Sequence, residues 1–211
     1  MHKALFIEDT EKYIQCNDLF CGSAEEYRAF WRGIVEKYGG YRVMLCYHCV
    51  PPAGDIPPAA FLQEIGAILA DDMIEYRLQL TDCPPTHVHN CHRVQKEGFD
   101  AFAAVHDRKN PDMYWTSERV RHKLNHWRIF QNGEAYAMAS MWGDIPEVFA
   151  LEADDNDIAC DLLSAVAAEA TASGKKELLF MIDKGAAIAS TAAKRLGFTE
   201  RGFYKGYSID L

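Results

Sequence analysis

Apolar positions along this chain switch between two spacings, and the switches mark its elements. Tyr27, Phe30, Trp31, Ile34, Val35 and Tyr38 recur at intervals of three and four, which gathers them on one face of a helix over about 24–38. Ser23, with Glu26 three residues on, is a capping-box signature, and Gly39-Gly40 closes the helix. A second helix, over 59–70, carries Phe61, Leu62, Ile65, Ile68 and Leu69. From 73 to 80 the period drops to two. Ile74, Tyr76, Leu78 and Leu80 alternate with Glu75, Arg77 and Gln79, the pattern of a half-buried strand. A strand is also expected over 41–49, and a weaker helix around 10–20.

Cys83-Pro84-Pro85 is the expected internal boundary, dividing the chain into 1–85 and 86–211. After it the pattern predicts a strand at 87–94 and helices at 98–107 and 117–127. A hairpin turning at Asn132-Gly133 joins strands at 128–131 and 134–142, and another strand follows at 147–152. Ile158, Leu162, Leu163, Val166, Ala167 and Ala170 then form one stripe of a helix over 158–173. A short apolar strand at 177–182, an Ala-rich helix at 186–196 and a strand at 203–211 complete the order.

Composition narrows the function. Among 211 residues, 31 acidic against 22 basic side chains leave a formal charge of −9. Without basic clusters to neutralise phosphates, this argues against nucleic acid as a partner and favours a neutral or cationic small molecule. The apolar stretches, such as Leu178–Ile182, fall far short of the ~20 residues that cross a bilayer, and the start of the chain has no long apolar run. The expectation is a cytoplasmic protein, without a membrane partner, whose seven cysteines stay reduced.

From 87 onward the order is one strand, two helices, a three-strand antiparallel meander, then helix, strand, helix, strand. With the closing run Arg195-Leu196-Gly197-Phe198-Thr199-Glu200-Arg201-Gly202-Phe203-Tyr204, this order resembles the GNAT N-acetyltransferase superfamily over about residues 86–211. The resemblance implies an α/β (α+β) fold, with a mixed, mostly antiparallel central sheet flanked by helices. Residues 1–85 then form a smaller N-terminal α/β segment, either a partial second GNAT-like half or an added subdomain. The implied activity moves an acetyl or other acyl group from coenzyme A, as acetyl-CoA or another acyl-CoA, to a primary amine of a small molecule or peptide. The alternative is a catalytically inactive GNAT-like domain that binds an acyl-CoA or a protein partner. A homodimer is left open.

The resemblance also implies a site. The strand 147–152 would splay from the strand after it and admit the pantetheine arm, and the anion loop would be Ala153–Ala159. Leu151, Ala153, Asn156, Asp157, Ile158, Ala159 and Cys160 are the implied cofactor contacts. Glu152, at the strand's end, is the candidate base, and Tyr204 could reach the site as the acid. This chain departs from the family's phosphate loop, typically Gln/Arg-x-x-Gly-x-Gly/Ala: it reads Asp154-Asp155-Asn156-Asp157-Ile158-Ala159. Asp and Asn there are also ordinary helix caps. The family's usual tyrosine position holds Ala193.

Trp115 and Trp142, with Glu134 and Asp144 nearby in sequence, are candidates to receive a cationic amine, although aromatics pack cores as readily. Cys46 and His48 share one face of a predicted strand, and His87, His89 and Cys91 share a face of another. Together they could ligate zinc, but the spacing is not that of a known finger, and no metal is expected. His122 and His126 share a helix face without the glutamate of a zinc protease motif.

Overall fold

Two strand–helix–strand modules, one in each half of the chain, frame the structure, a computed structural model that describes residues 4–49, 59–80 and 90–211. The chain divides into two compact units, Met1–Ile74 with Arg201–Leu211, and Glu75–Glu200. The expected boundary at 83–85 lies outside the described residues.

In the first unit, β1 (Ala4–Glu8) runs antiparallel to β2 (Tyr13–Asn17). β2 stands where a weak helix was expected. The alternation is the reason: Ile14 and Cys16 are buried while Tyr13, Gln15 and Asn17 are half-buried, a period of two. α1 (Ala24–Lys37) follows, capped by Ser23, whose Oγ accepts from the Glu26 N–H at 3.2 Å. Glu26 returns a carboxylate to the Gly22 N–H at 2.9 Å, a capping box displaced by one residue. Tyr27 and Ile34 of its stripe are fully buried, and Phe30 and Trp31 pack beside them against Val43, Leu45, Phe61 and Leu62. β3 (Arg42–Cys49) runs parallel to β2.

The next helix is shorter than its pattern predicts. α2 (Ala59–Glu64) stops ahead of Gly66, and β4 (Ile68–Gln79) opens at Ile68. Ile68 and Leu69, expected on a buried helical face, are 71% and 46% exposed. The last strand, β10 (Thr199–Asp210), pairs antiparallel with β3 from Phe203↔Cys49 to Asp210↔Arg42. The end of the chain thus belongs to the first unit.

Gly206 on β10 lies against Asp71, so close that an added Cβ would stand 3.1 Å from both Cβ and Cγ of that side chain. Gly206→Ala should therefore destabilise by about 1–3 kcal/mol, the usual cost of overpacking. A fall in the urea midpoint at unchanged slope would register it.

The second unit builds its sheet in the order β9-β8-β7-β6-β5. The strands are β5 (His92–Arg93), β6 (Trp127–Asn132), β7 (Ala135–Ser140), β8 (Glu147–Glu152) and β9 (Glu177–Asp183). The end of β4 adjoins β9, where Leu80 N–H donates to Lys176 C=O at 2.8 Å. α3 (Phe99–Lys109) and α4 (Ser117–His122) pack on the sheet face that carries Trp127, Ile129, Tyr136, Met138 and Ala150. Trp127, expected to end a helix, opens β6 instead. The opposite face receives α5 (Asn156–Ala172), which buries Ala159, Leu162, Leu163 and Val166; α6 (Ala187–Arg195) packs beside it. The β6–β7 turn also shifts by one residue. Its central pair is Gly133-Glu134, with φ +60° at Gly133 alone, the type II′ pattern in place of the expected type I′ at Asn132-Gly133.

One order of elements occurs twice: β1-β2-α1-β3-α2-β4 and β7-β8-α5-β9-α6-β10. In each, an antiparallel pair is followed by a helix that leads to a strand parallel to its second member.

Candidate active site

The two parallel pairs differ in one respect. β2 and β3 stay in register over five residue pairs, from Tyr13↔Arg42 to Asn17↔Cys46, and Asp18 N–H extends the contact to Cys46 C=O at 2.8 Å. β8 and β9 pair only at Glu147↔Leu179 and Val148↔Phe180, with Leu179 N–H donating to Pro146 C=O at 2.9 Å. Beyond Val148 the ladder stops. The facing edges of Phe149–Glu152 and Met181–Asp183 carry backbone donors and acceptors that the ladder does not use.

A β-bulge sits where the strands part. Across β7, Ala139 faces Val148 and Met138 faces Ala150, so Phe149 is the extra residue. A bulge bends its strand and sharpens the twist. It also changes which side chains share a face. Glu147 and Glu152 are five residues apart, which in a regular strand puts them on opposite faces. With the extra residue, Glu147 (opposite Ser140), Ala150 (opposite Met138) and Glu152 (opposite Tyr136) all lie on the α3–α4 face.

These carboxylates differ in surroundings. Burial pushes Glu147 up to about 7; Arg77 nearby opposes the shift and Glu75 adds to it. Arg77 is itself held by Glu75 at 2.7 Å and Glu177 at 3.1 Å, and burial prevails over its pull on Glu147. Glu152, the expected base, lies half-exposed at the end of β8. Sequence reasoning missed Glu147 because nothing in the pattern reveals a bulge. The visible signal was only a carboxylate at the start of an otherwise apolar strand. Tyr204, the expected acid, belongs to the first unit, where its hydroxyl donates to Cys46 Sγ at 2.9 Å. Burial pushes both that hydroxyl and the Cys46 thiol up, the thiol to about 11.

The expected cofactor contacts are gathered where β8 ends and α5 begins. Leu151 is half-buried on β8, Ala153 lies in the turn, Ala159 is fully buried and Cys160 is half-buried. The start of α5 is already filled. Asp155 caps it, and its Oδ1 accepts from the Asp157 N–H at 2.8 Å and the Ile158 N–H at 3.1 Å. Asp157 is in turn bound by Arg195 of α6 at 2.9 Å. The splay fits the pantetheine arm of a thioester; the capped helix start does not fit a diphosphate. Two like charges about 4 Å apart repel by about 1 kcal/mol in water and about 4 kcal/mol near a protein surface.

On the α3–α4 face, Trp115 lies against Trp127, Trp142 and Phe149, with ring centroids 5.1, 5.9 and 6.1 Å away. Trp115 and Trp142 are thus brought together. Lys123 stands over both rings, at 5.7 and 4.9 Å from their centroids. Asp144 is exposed in the turn after Trp142. Glu134 is not brought in. It lies at the far end of the β6–β7 hairpin, about 17 Å along a six-residue strand, and pairs with Arg108 at 2.8 Å.

A buried polar chain holds the Trp115 loop. His106 is fully buried; its Nε2 lies 2.8 Å from Trp115 C=O and its Nδ1 2.7 Å from Tyr136 Oη. A carbonyl only accepts, so Nε2 carries the proton. Asn110 Nδ2 donates to Tyr136 Oη at 2.7 Å, and the Tyr136 hydroxyl donates onward to Nδ1. Every polar atom of the imidazole is satisfied. Burial pushes the Tyr136 hydroxyl up, with Glu152 and Asp107 adding to the shift, so it stays protonated.

Of the zinc candidates, His87 and His89 lie outside the described residues. His48 pairs with Asp18 at 3.4 Å. Among the described residues no group of three or more His, Cys, Asp or Glu side chains is placed to hold a metal. His122 lies in α4 and His126 in the short turn after it, where its ring tilts over Trp142 at 4.9 Å. Among the described residues no helix is long and apolar enough to cross a membrane.

The chain shares its fold, over nearly its whole length, with solved structures of GCN5-related N-acetyltransferases. One is a GCN5-related N-acetyltransferase from Sphaerobacter thermophilus, 12% identical, with a TM-score of 0.68 over 99% of this chain and 76% of that one. Another, from Kribbella flavida, is 11% identical, with a TM-score of 0.62 over 98% and 89%. A tandem GNAT protein from the clavulanic acid biosynthesis pathway is 15% identical, with a TM-score of 0.55 over 99% and 78%. No family model matches the sequence, and no curated protein is significantly similar to it.

Proposed function

We propose that this chain is an acyltransferase that moves an acetyl or other acyl group from a thioester of the acetyl-CoA type to an amine of a small molecule or peptide. The observation that carries the reading is the splay of β8 from β9, present in one of two otherwise matching modules. The open strand edges offer backbone partners to the amide groups of an extended pantetheine arm, as an added strand would. In this reading residues 1–74 with the returning β10 are a partial GNAT-like half whose β2–β3 pair is closed, so the chain holds one donor slot.

Amine attack forms the new C–N bond and breaks the C–S bond of the thioester. The attacking nitrogen loses a proton, which needs a base, and the departing sulfur gains one. Glu147 is the preferred base. A carboxylate poised near 7 holds a proton more tightly than an ordinary glutamate and is still ionised in half the molecules at neutral pH. Glu152, on the same face, is the second candidate. The tryptophan group around Trp115 and Trp142 forms the wall on which the acceptor rests. A cytoplasmic setting, where acyl thioesters are made, goes with this reading.

The test is release of free thiol from acetyl-pantetheine and from acetyl-CoA in the presence of a panel of primary amines. Amine-dependent release that saturates with the acceptor is the expected result. The capped start of α5 favours a second reading, a GNAT-like module that binds its ligand without chemistry. Saturable thioester binding with no thiol release for any amine would select it.

A further inference from the structure

The start of α5 has its own anion. Asp155 takes the N–H groups of Asp157 and Ile158 at 2.8 and 3.1 Å, two of the donors that a bound phosphate would otherwise use. Its backbone is extended, φ −136° and ψ 140°, the ordinary geometry of an N-cap, so the arrangement is stable as it stands. Arg195 of α6 is bound to Asp157 at 2.9 Å. Asp154, Asp155 and Asp157 place three carboxylates at the turn, and Arg195 pairs with one of them. Asp157 also puts a Cβ where close backbone approach favours glycine. Donors, charge and space are each arranged against an incoming diphosphate.

We propose that this helix start excludes the diphosphate of a nucleotide thioester, and that the chain recognises its acyl donor through the pantetheine arm alone. The donor class is an acyl-pantetheine thioester whose nucleotide end, where present, adds nothing to binding at α5. The inference rests on the acyl-transfer reading above, since that reading places the arm between β8 and β9. Asp155 acts as a built-in competitor: it fills the anion position with a charge that cannot diffuse away.

Calorimetric titration of the full chain with pantetheine, coenzyme A and 3′-phosphoadenosine 5′-diphosphate tests it. Pantetheine and coenzyme A should bind within about threefold of one another, and the nucleotide should show no heat at millimolar concentration. Asp155→Gly keeps an acceptable cap while freeing both donors, and Asp155→Asn keeps the cap and removes the charge. Each should tighten coenzyme A, by about tenfold for Asp155→Gly, and leave pantetheine unchanged. Coenzyme A binding tenfold or more tighter than pantetheine in the unmutated chain would overturn the inference and leave the acyl-transfer reading standing. Unchanged coenzyme A affinity in both variants would overturn the role of Asp155. Binding of neither pantetheine nor coenzyme A would sink both the inference and the reading beneath it.

Discussion

Glu147→Gln is expected to lower the amine-dependent rate by at least about 100-fold, the lower range for loss of a general base, while making the folded chain more stable at alkaline pH. The two effects share a cause. Glu147 is pushed up to about 7 from a reference of 4.5, so the folded chain binds this proton more tightly than the unfolded chain does. Between those two values the folded state carries the extra proton, and stability falls as pH rises. Above about 7 the loss is complete, at about 3 kcal/mol for a shift of this size. Glutamine has nearly the same shape and no charge to desolvate, so the variant should lose the pH dependence and regain part of that stability. Thermal melts at pH 5 and pH 8 read it: the melting temperatures of the two proteins should converge at pH 5 and separate at pH 8, with the variant higher. For the unmutated chain, kcat/KM should rise with a midpoint near 7 as the base ionises. A variant as active as the parent would move the base to Glu152, whose Glu152→Gln change would then carry the loss.

His106→Ala should destabilise the second unit by about 3–5 kcal/mol. It deletes a fully buried ring and leaves a cavity, the first part of the cost. It also removes the acceptor of the Tyr136 hydroxyl, which keeps only its bond from Asn110, and the donor to the part-buried Trp115 C=O; a lost partner of this kind costs about 1–3 kcal/mol when the site is fully buried and less here. Tyr136→Phe separates the two parts. It keeps the ring packed against Phe102 and removes only the hydroxyl, so about 2 kcal/mol is expected. Urea denaturation gives both values. Because the His106–Trp115 bond holds the loop that carries the tryptophan wall, Tyr136→Phe should also raise the acceptor KM more than it lowers kcat. An equal fall in kcat and kcat/KM would instead place this chain of hydrogen bonds at the reacting atoms.

Long amphipathic helices were legible from the sequence. The stripe Tyr27 to Tyr38 and the stripe Ile158 to Ala170 each became a helix, because their apolar spacing has no second interpretation, although Val35 of the first stripe is 43% exposed. Short segments were not. Ile68 and Leu69 fit a helical stripe and a strand equally well, and a continuous strand through Gln79 prevailed. Trp127 completes a helical pattern with Val120 and Leu124, yet cross-strand pairing to Ser140 claims it for β6. The order of elements from β6 onward, and with it the GNAT-like fold, could be read because each element is short, ordered and closed by a turn residue.

The site was legible only where it depends on local chain order. The strand 147–152, the turn after it and the helix behind are neighbours in sequence, and they were assigned correctly as elements. What depends on register was hidden. One extra residue at Phe149 decides that Glu147 and Glu152 share a face, and no side-chain pattern announces it. The hairpin's length decides that Glu134 lies far from Trp142, although eight positions in sequence suggest nearness. Likewise, the repeat of β-β-α-β-α-β is a repeat of pairing, not of residues.

In the proposed reading the acyl donor lies in the gap between β8 and β9 and not in the closed β2–β3 pair. Backbone amide shifts of isotope-labelled protein, titrated with acetyl-pantetheine, test it directly. Saturable shifts concentrated at Phe149–Glu152 and Met181–Asp183 are expected, with Tyr13–Asn17 and Arg42–Cys46 unmoved. Shifts centred on the β2–β3 pair, or no saturable shift along β8 and β9, would contradict it.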